Sequence, residues 1–104
     1  MELVEEAREL YERGIDDYRA GEYDDALEAL GRARELYAQA EDKKGESEAL
    51  NDQAVVCIQM ELWDQAQQLL EEALSIRQEM GDRSGQGITL GNLGMMYERL
   101  GESD

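Results

Sequence analysis

The chain has 104 residues, with 26 acidic side chains against 10 basic ones and a formal net charge of −16. A surface of that sign repels phosphate backbones and anionic bilayers, which disfavours nucleic acid and membrane partners and favours a basic or neutral polypeptide. With no histidine and a single cysteine, Cys57, the chain lacks the residue types for a zinc site, a Ser-His or Cys-His nucleophile pair or an internal disulfide.

Hydrophobic residues make up 41% of the sequence, mostly Leu and Ala, and there is no proline or phenylalanine. That balance predicts an all-α fold. The first helix is expected over 5–20, where Ala7, Leu10, Tyr11, Ile15 and Tyr18 recur at helical spacing. Gly21 ends it, and Asp24 is placed to cap the second helix, over 24–40, whose apolar side carries Ala26, Leu27, Leu30, Ala33, Leu36 and Tyr37. Three more helices are expected over 46–60, 64–80 and 85–100. The last contains the run Gly85-Gln86-Gly87-Ile88-Thr89-Leu90-Gly91-Asn92-Leu93-Gly94. Each interior glycine costs a helix about 1 kcal/mol relative to alanine, so this segment is expected to depend on packing and to fray first.

Sliding the chain by 40 residues aligns it with itself without a gap. Leu10 falls on Leu50 and Leu90, and Gly14 on Ala54 and Gly94. Asp24, Ala26, Leu30 and Ala33 fall on Asp64, Ala66, Leu70 and Ala73, Tyr23 falls on Trp63, and Leu36 falls on Ile76. The link from Glu41 to Glu46 falls on the link from Gly81 to Gln86. The chain therefore divides into units 5–44 and 45–84 and a half-unit 85–104. Each unit is a helix pair with small residues at the close approach, Gly14 against Ala26 and Ala54 against Ala66, with Leu30 and Leu70 beside them.

These positions resemble the tetratricopeptide repeat pattern W-x2-L-G-x2-Y followed by A-x3-F. The matching residues are Leu10, Arg13, Gly14, Asp17, Ala26 and Leu30, then Leu50, Gln53, Ala54, Cys57, Ala66 and Leu70, then Leu90, Leu93, Gly94 and Tyr97. The link Gly21-Glu22-Tyr23-Asp24-Asp25-Ala26-Leu27 is also similar to the family's turn. The closing proline is absent, its place taken by Ala38 and Gln78, and the period is 40 rather than 34. That departure resembles the long-repeat branch with G-D-x-x-G links, as in kinesin light chains, spindle-orientation adaptors and many bacterial signalling proteins.

The resemblance implies an α-solenoid of about five helices, two and a half units wound as a right-handed superhelix. It implies a protein–protein interaction scaffold, with no enzymatic activity and no cofactor, that binds a peptide or partner helix in a concave groove lined by the first helix of each pair. Carried over, the groove candidates are Arg8, Tyr11, Glu12, Ile15 and Arg19, then Glu48, Asn51, Asp52, Val55 and Gln59, then Ile88, Asn92, Met95 and Arg99. Asn92 resembles the family's groove asparagine. The alternative is a solvated helix face; burial is favoured for Val55 and left open for Met95. The carboxylate-gripping mode of chaperone-binding members does not carry over, because the matching positions hold Tyr11, Ile15, Asp52, Ile88 and Asn92.

Other chemistry is absent from the sequence. Adjacent acidic pairs such as Asp16-Asp17 and Glu71-Glu72 point away from one another on a helix, so no metal or acid–base site follows from them. Cys57 is expected to be a buried apolar residue. Met1 to Leu10 carry no apolar signal-peptide core, and no apolar run approaches bilayer length, so a cytoplasmic location is the expectation. The third unit has only its first helix, which suggests a piece of a longer array. Ile88, Leu90, Leu93, Met96, Tyr97 and Leu100 would then be left exposed, favouring a homodimer through this last helix.

Overall fold

The computed structural model describes residues 2–103. Five helices follow one another: α1 (Glu2–Arg19), α2 (Tyr23–Gln39), α3 (Lys43–Gln59), α4 (Trp63–Glu79) and α5 (Arg83–Ser103). This is the all-α solenoid that the 40-residue period implies, and its corners fall every 20 residues. Gly21, Glu41, Glu61 and Gly81 all have positive φ, between 57° and 81°. At each, the residue after the corner donates its N–H five residues back, as Glu22 does to the Asp17 carbonyl and Asp82 to the Arg77 carbonyl. The corner residue donates three residues back, as Gly21 does to Tyr18. These two bonds close a left-handed helix terminus and satisfy its last carbonyls.

The helix starts are of two kinds. Asp42 and Asp82 precede α3 and α5, and their carboxylates accept the N–H of Gly45 at 3.0 Å and of Gly85 at 2.9 Å. Helix α2 begins earlier than its sequence suggests: its cap is Glu22, which makes no side-chain bond, and Asp24 lies inside the first turn. There its charge still favours the positive end of the helix dipole. Despite its glycines, α5 is one continuous helix.

Each helix packs along its sequence neighbour. Beyond neighbours, α1 touches α3 and α3 touches α5, whereas α2 and α4 do not meet. The stack therefore curves, with α1, α3 and α5 on its inner side. Burial follows the repeat: Ala26, Leu30, Ala54, Ala66, Leu70 and Ala73 are fully enclosed. A Cβ added to Gly14 would stand 2.7 Å from Leu30 Cγ, so glycine is what lets α1 and α2 approach. Each enclosed leucine contributes roughly 1.5–3 kcal/mol to holding its pair together.

One expectation for α5 is corrected. Met96 is fully enclosed among Ala54, Cys57, Ile58, Ala66 and Leu70, with Leu93 packed against the same cluster. The glycine run gives α5 two sides, and the methionine lies on the side that seals the second pair. Ile88, Leu90 and Tyr97 remain about half exposed.

Candidate functional site

Besides apolar packing, polar side chains bridge the inner helices. The Tyr11 hydroxyl on α1 donates to the Asp52 carboxylate on α3. Asn92 on α5 donates through Nδ2 to Oδ1 of Asn51 on α3, at 3.0 Å. Both pairs are 41 residues apart. Each therefore links one repeat position to the next position along in the following unit, and the two bonds are successive rungs of a polar ladder.

Behind the second rung lies a buried arginine. Arg77 on α4 is 5% exposed. Its Nε donates to Ser47 Oγ at 3.3 Å, and its Nη1 donates to the Gly85 carbonyl at 3.1 Å and to Thr89 Oγ1 at 2.7 Å. Thr89 in turn donates to Asn51 Oδ1 at 3.4 Å. One connected network thus ties α3, α4 and α5. Desolvating a guanidinium is costly unless its donors are used, and these three acceptors use three of its five.

Repeat position 37 explains why Arg77 sits there. In the first unit it holds Tyr37, whose ring a Cβ on Gly45 would strike; in the second, a Cβ on Gly85 would come within 2.8 Å of Arg77 Cδ. The glycine of each D-x-x-G link accepts a large flat side chain from the preceding helix. Only the arginine adds donors to the contact.

Above the rungs lies a cavity of about 430 Å³ lined by Tyr11, Lys44, Glu48, Asn51, Asp52, Arg77, Asp82, Ser84, Gly85 and Ile88. A neighbouring cavity of about 370 Å³ shares Tyr11, Lys44 and Glu48 and extends the groove past Val4, Arg8, Glu12 and Tyr37. Burial, reinforced by Asp52, pushes the Tyr11 hydroxyl well above the ordinary phenol range. Burial also raises the Asp52 carboxyl, although the Tyr11 bond and the Arg77 charge pull it back. The Cys57 thiol, on the buried side of α3, is pushed up by the same loss of water.

The predicted groove residues divide by place. Arg8, Tyr11, Glu12, Glu48, Asn51, Asp52 and Ile88 line the two cavities. Ile15 instead packs against the cluster of Ala26, Leu30 and Val56. Val55 and Gln59 are half-buried, Arg19 is exposed, and Met95 is 37% exposed. Arg99 lies over the Trp63 ring, 5.9 Å from its centre. The two asparagines carry a further contact. Asn51 is 6% exposed, and Asn92 is half-buried with its amide committed to Asn51. Both tie α3 to α5. The role of Arg77 was not visible in the sequence, because a lone arginine on a helix otherwise reads as a solvated charge; its alignment with Tyr37 was the available signal.

Among the described residues, no group of three or more Cys, Asp or Glu side chains converges to hold a metal ion, and no helix is long and apolar enough to cross a membrane. The sequence profile of the tetratricopeptide repeat family matches residues 5–79 and, again, residues 46–104. The chain belongs to the tetratricopeptide repeat family. Overlapping matches are what a 40-residue repeat produces, because the profile can start on either unit. No curated protein matches the chain. Tetratricopeptide repeats are non-catalytic scaffolds for protein–protein interaction.

Proposed function

We propose that this tetratricopeptide repeat array holds a peptide or a partner helix on the inner face of α1, α3 and α5, and that it performs no catalysis of its own. The observation that carries this reading is the continuous groove above the polar ladder. Its floor is fixed by Tyr11–Asp52 and Asn51–Asn92, while Glu48, Lys44 and Ile88 stay available along its walls. A groove whose walls are preorganised costs little ordering when a ligand enters. The acidic balance favours a partner segment that is basic or neutral, and a reducing cytoplasm suits the single buried thiol.

The test is a peptide library screened against the chain, with hits measured by calorimetry. Glu48→Lys and Ile88→Glu are expected to weaken a groove-bound peptide by about tenfold or more each, with helicity unchanged. A library that yields no binder, or hits whose affinity ignores both substitutions, would sink the reading.

A second reading, self-association through α5, is favoured by a different observation. Leu90 and Tyr97, seven residues apart on one face of α5, are 53% and 50% exposed, and large apolar side chains so grouped mark contact surfaces. Met96 and Leu93 take no part in that surface, and Leu100 is half-buried.

A further inference from the structure

The outer face of α5 repeats a face that the fold has already covered twice. Its residues Gly87, Leu90 and Gly94 stand at the repeat positions of Ala7, Leu10 and Gly14, and of Ser47, Leu50 and Ala54. In the first two units that small–leucine–small face is enclosed: Leu10 is 8% exposed and Leu50 fully buried. What covers it is an antiparallel helix that alternates the other way. Leu10 shares a cluster with Ala33, and Gly14 receives Leu30. Leu50 shares a cluster with Ala73, and Ala54 shares one with Leu70. On α5 the leucine is 53% exposed, and a Cβ added to Gly87 or Gly94 would meet no atom within 4 Å.

The same alternation makes α5 complementary to itself. When two α5 helices are laid antiparallel with Leu90 opposite Gly94 of the second copy, the two-fold axis also sets Gly94 opposite Leu90. It sets Tyr97 opposite Gly87 of the second copy, and Gly87 opposite Tyr97. Leu90 and Tyr97, the large exposed side chains of this face, each meet a glycine, as Leu30 meets Gly14 within the chain. The same register brings Arg83, at the start of α5, opposite Gly101 of the second copy, between Glu98 and Glu102. The basic start of one helix thereby lies against the acidic end of the other.

We propose that a second copy of this chain covers the outer face of α5, pairing antiparallel through Leu90–Gly94 and Tyr97–Gly87. This rests on the self-association reading and adds its partner helix, direction and register. The charge of −16 on each copy opposes the pairing, so dimerisation strengthens as salt screens it.

Sedimentation and disulfide trapping test both levels. The native chain is expected to become a dimer as salt and concentration rise. Leu90→Glu and Gly94→Leu should each lower the association constant at least tenfold. Gly94→Leu improves helix propensity, so its retained helicity distinguishes a filled hole from an unfolded helix. Under oxidation, a mixture of Gly87→Cys and Tyr97→Cys chains should form a covalent heterodimer, while neither variant cross-links with itself. Like positions then lie ten residues apart along the pair, about 15 Å, beyond the reach of a disulfide. The buried Cys57 does not compete. A dimer that cross-links within each single-variant sample and not in the mixture overturns this register but keeps self-association. A monomer at high salt and high concentration overturns both, leaves the face to a different helix, and does not touch the groove reading.

Discussion

Arg77 Nη1 donates to Thr89 Oγ1 at 2.7 Å, joining α4 to α5 at a point where both residues are almost wholly enclosed. Replacing Arg77 by Met removes that bond and the bonds to Ser47 and the Gly85 carbonyl, leaving buried acceptors without donors. Stranded acceptors cost about 1–3 kcal/mol each, and the guanidinium's own desolvation cost disappears with it, so the variant should lose a net of about 2–4 kcal/mol in urea unfolding. Arg77→Lys should recover only part, because an ammonium cannot reproduce the fork that reaches Ser47 and Thr89 together. Amide exchange should accelerate first in α5, and a uniform acceleration across all five helices would contradict the anchoring role.

The rung between α1 and α3 predicts a pH effect. Asp52 has its carboxyl raised above its ordinary 3.8, burial being the main cause. A carboxyl that is raised on folding binds its proton more tightly in the folded state. Its contribution is therefore fully present below the unfolded value and is lost as pH rises through the raised folded value. Stability should climb as pH falls through the raised folded value towards 3.8, and Asp52→Asn should remove part of the climb. Tyr11→Phe takes away a bond that stabilises the ionised form, so it should cost more at pH 7 than at pH 4. An equal cost at both values would argue against the assignment.

Two of the four corners strain their residues. Glu41 and Glu61 adopt φ of 57° and 61°, where a side chain is disfavoured and glycine is not. Glu41→Gly and Glu61→Gly should each stabilise the chain by about 0.5–1 kcal/mol, seen as a rise of a few degrees in Tm. Gly21→Ala and Gly81→Ala should act in the opposite direction by a similar amount.

Glycines inside the helices split by what they face. Gly14→Ala places its methyl 2.7 Å from Leu30 Cγ and should destabilise by about 1–3 kcal/mol through overpacking. Gly91→Ala meets open space and should stabilise by up to about 1 kcal/mol from helix propensity alone. Thermal unfolding of the pair, run side by side, checks the opposite signs.

The period, the five helices and the need for a small residue at Gly14 were legible because they depend on local spacing and on residue size; Gly14 was set against Ala26, and the side chain that fills its gap is Leu30. The start of α2 at Tyr23 was not, because Asp24 can serve a helix either as a cap or inside its first turn, and the corner at Gly21 decided which. Met96 was misjudged because an incomplete pair exposes only one side of its helix, and periodicity does not say which side. The polar ladder was hidden for another reason. Asn51, Asn92, Thr89 and Arg77 are each ordinary on a solvated helix face. Only contacts spanning 12 to 41 residues turn them into an enclosed network.

The left-handed corners at 21, 41, 61 and 81 also govern how such a protein can change length. One residue inserted within a helix rotates everything after it by about 100° and slides Leu, Gly and Asn off their partners. Forty residues inserted at a corner displace nothing: each rung, each lidded glycine and each capped start finds its counterpart in the added unit. Duplication and deletion of whole units are therefore the cheapest large edits open to this sequence, and the reach of its groove can be altered without redesigning any contact.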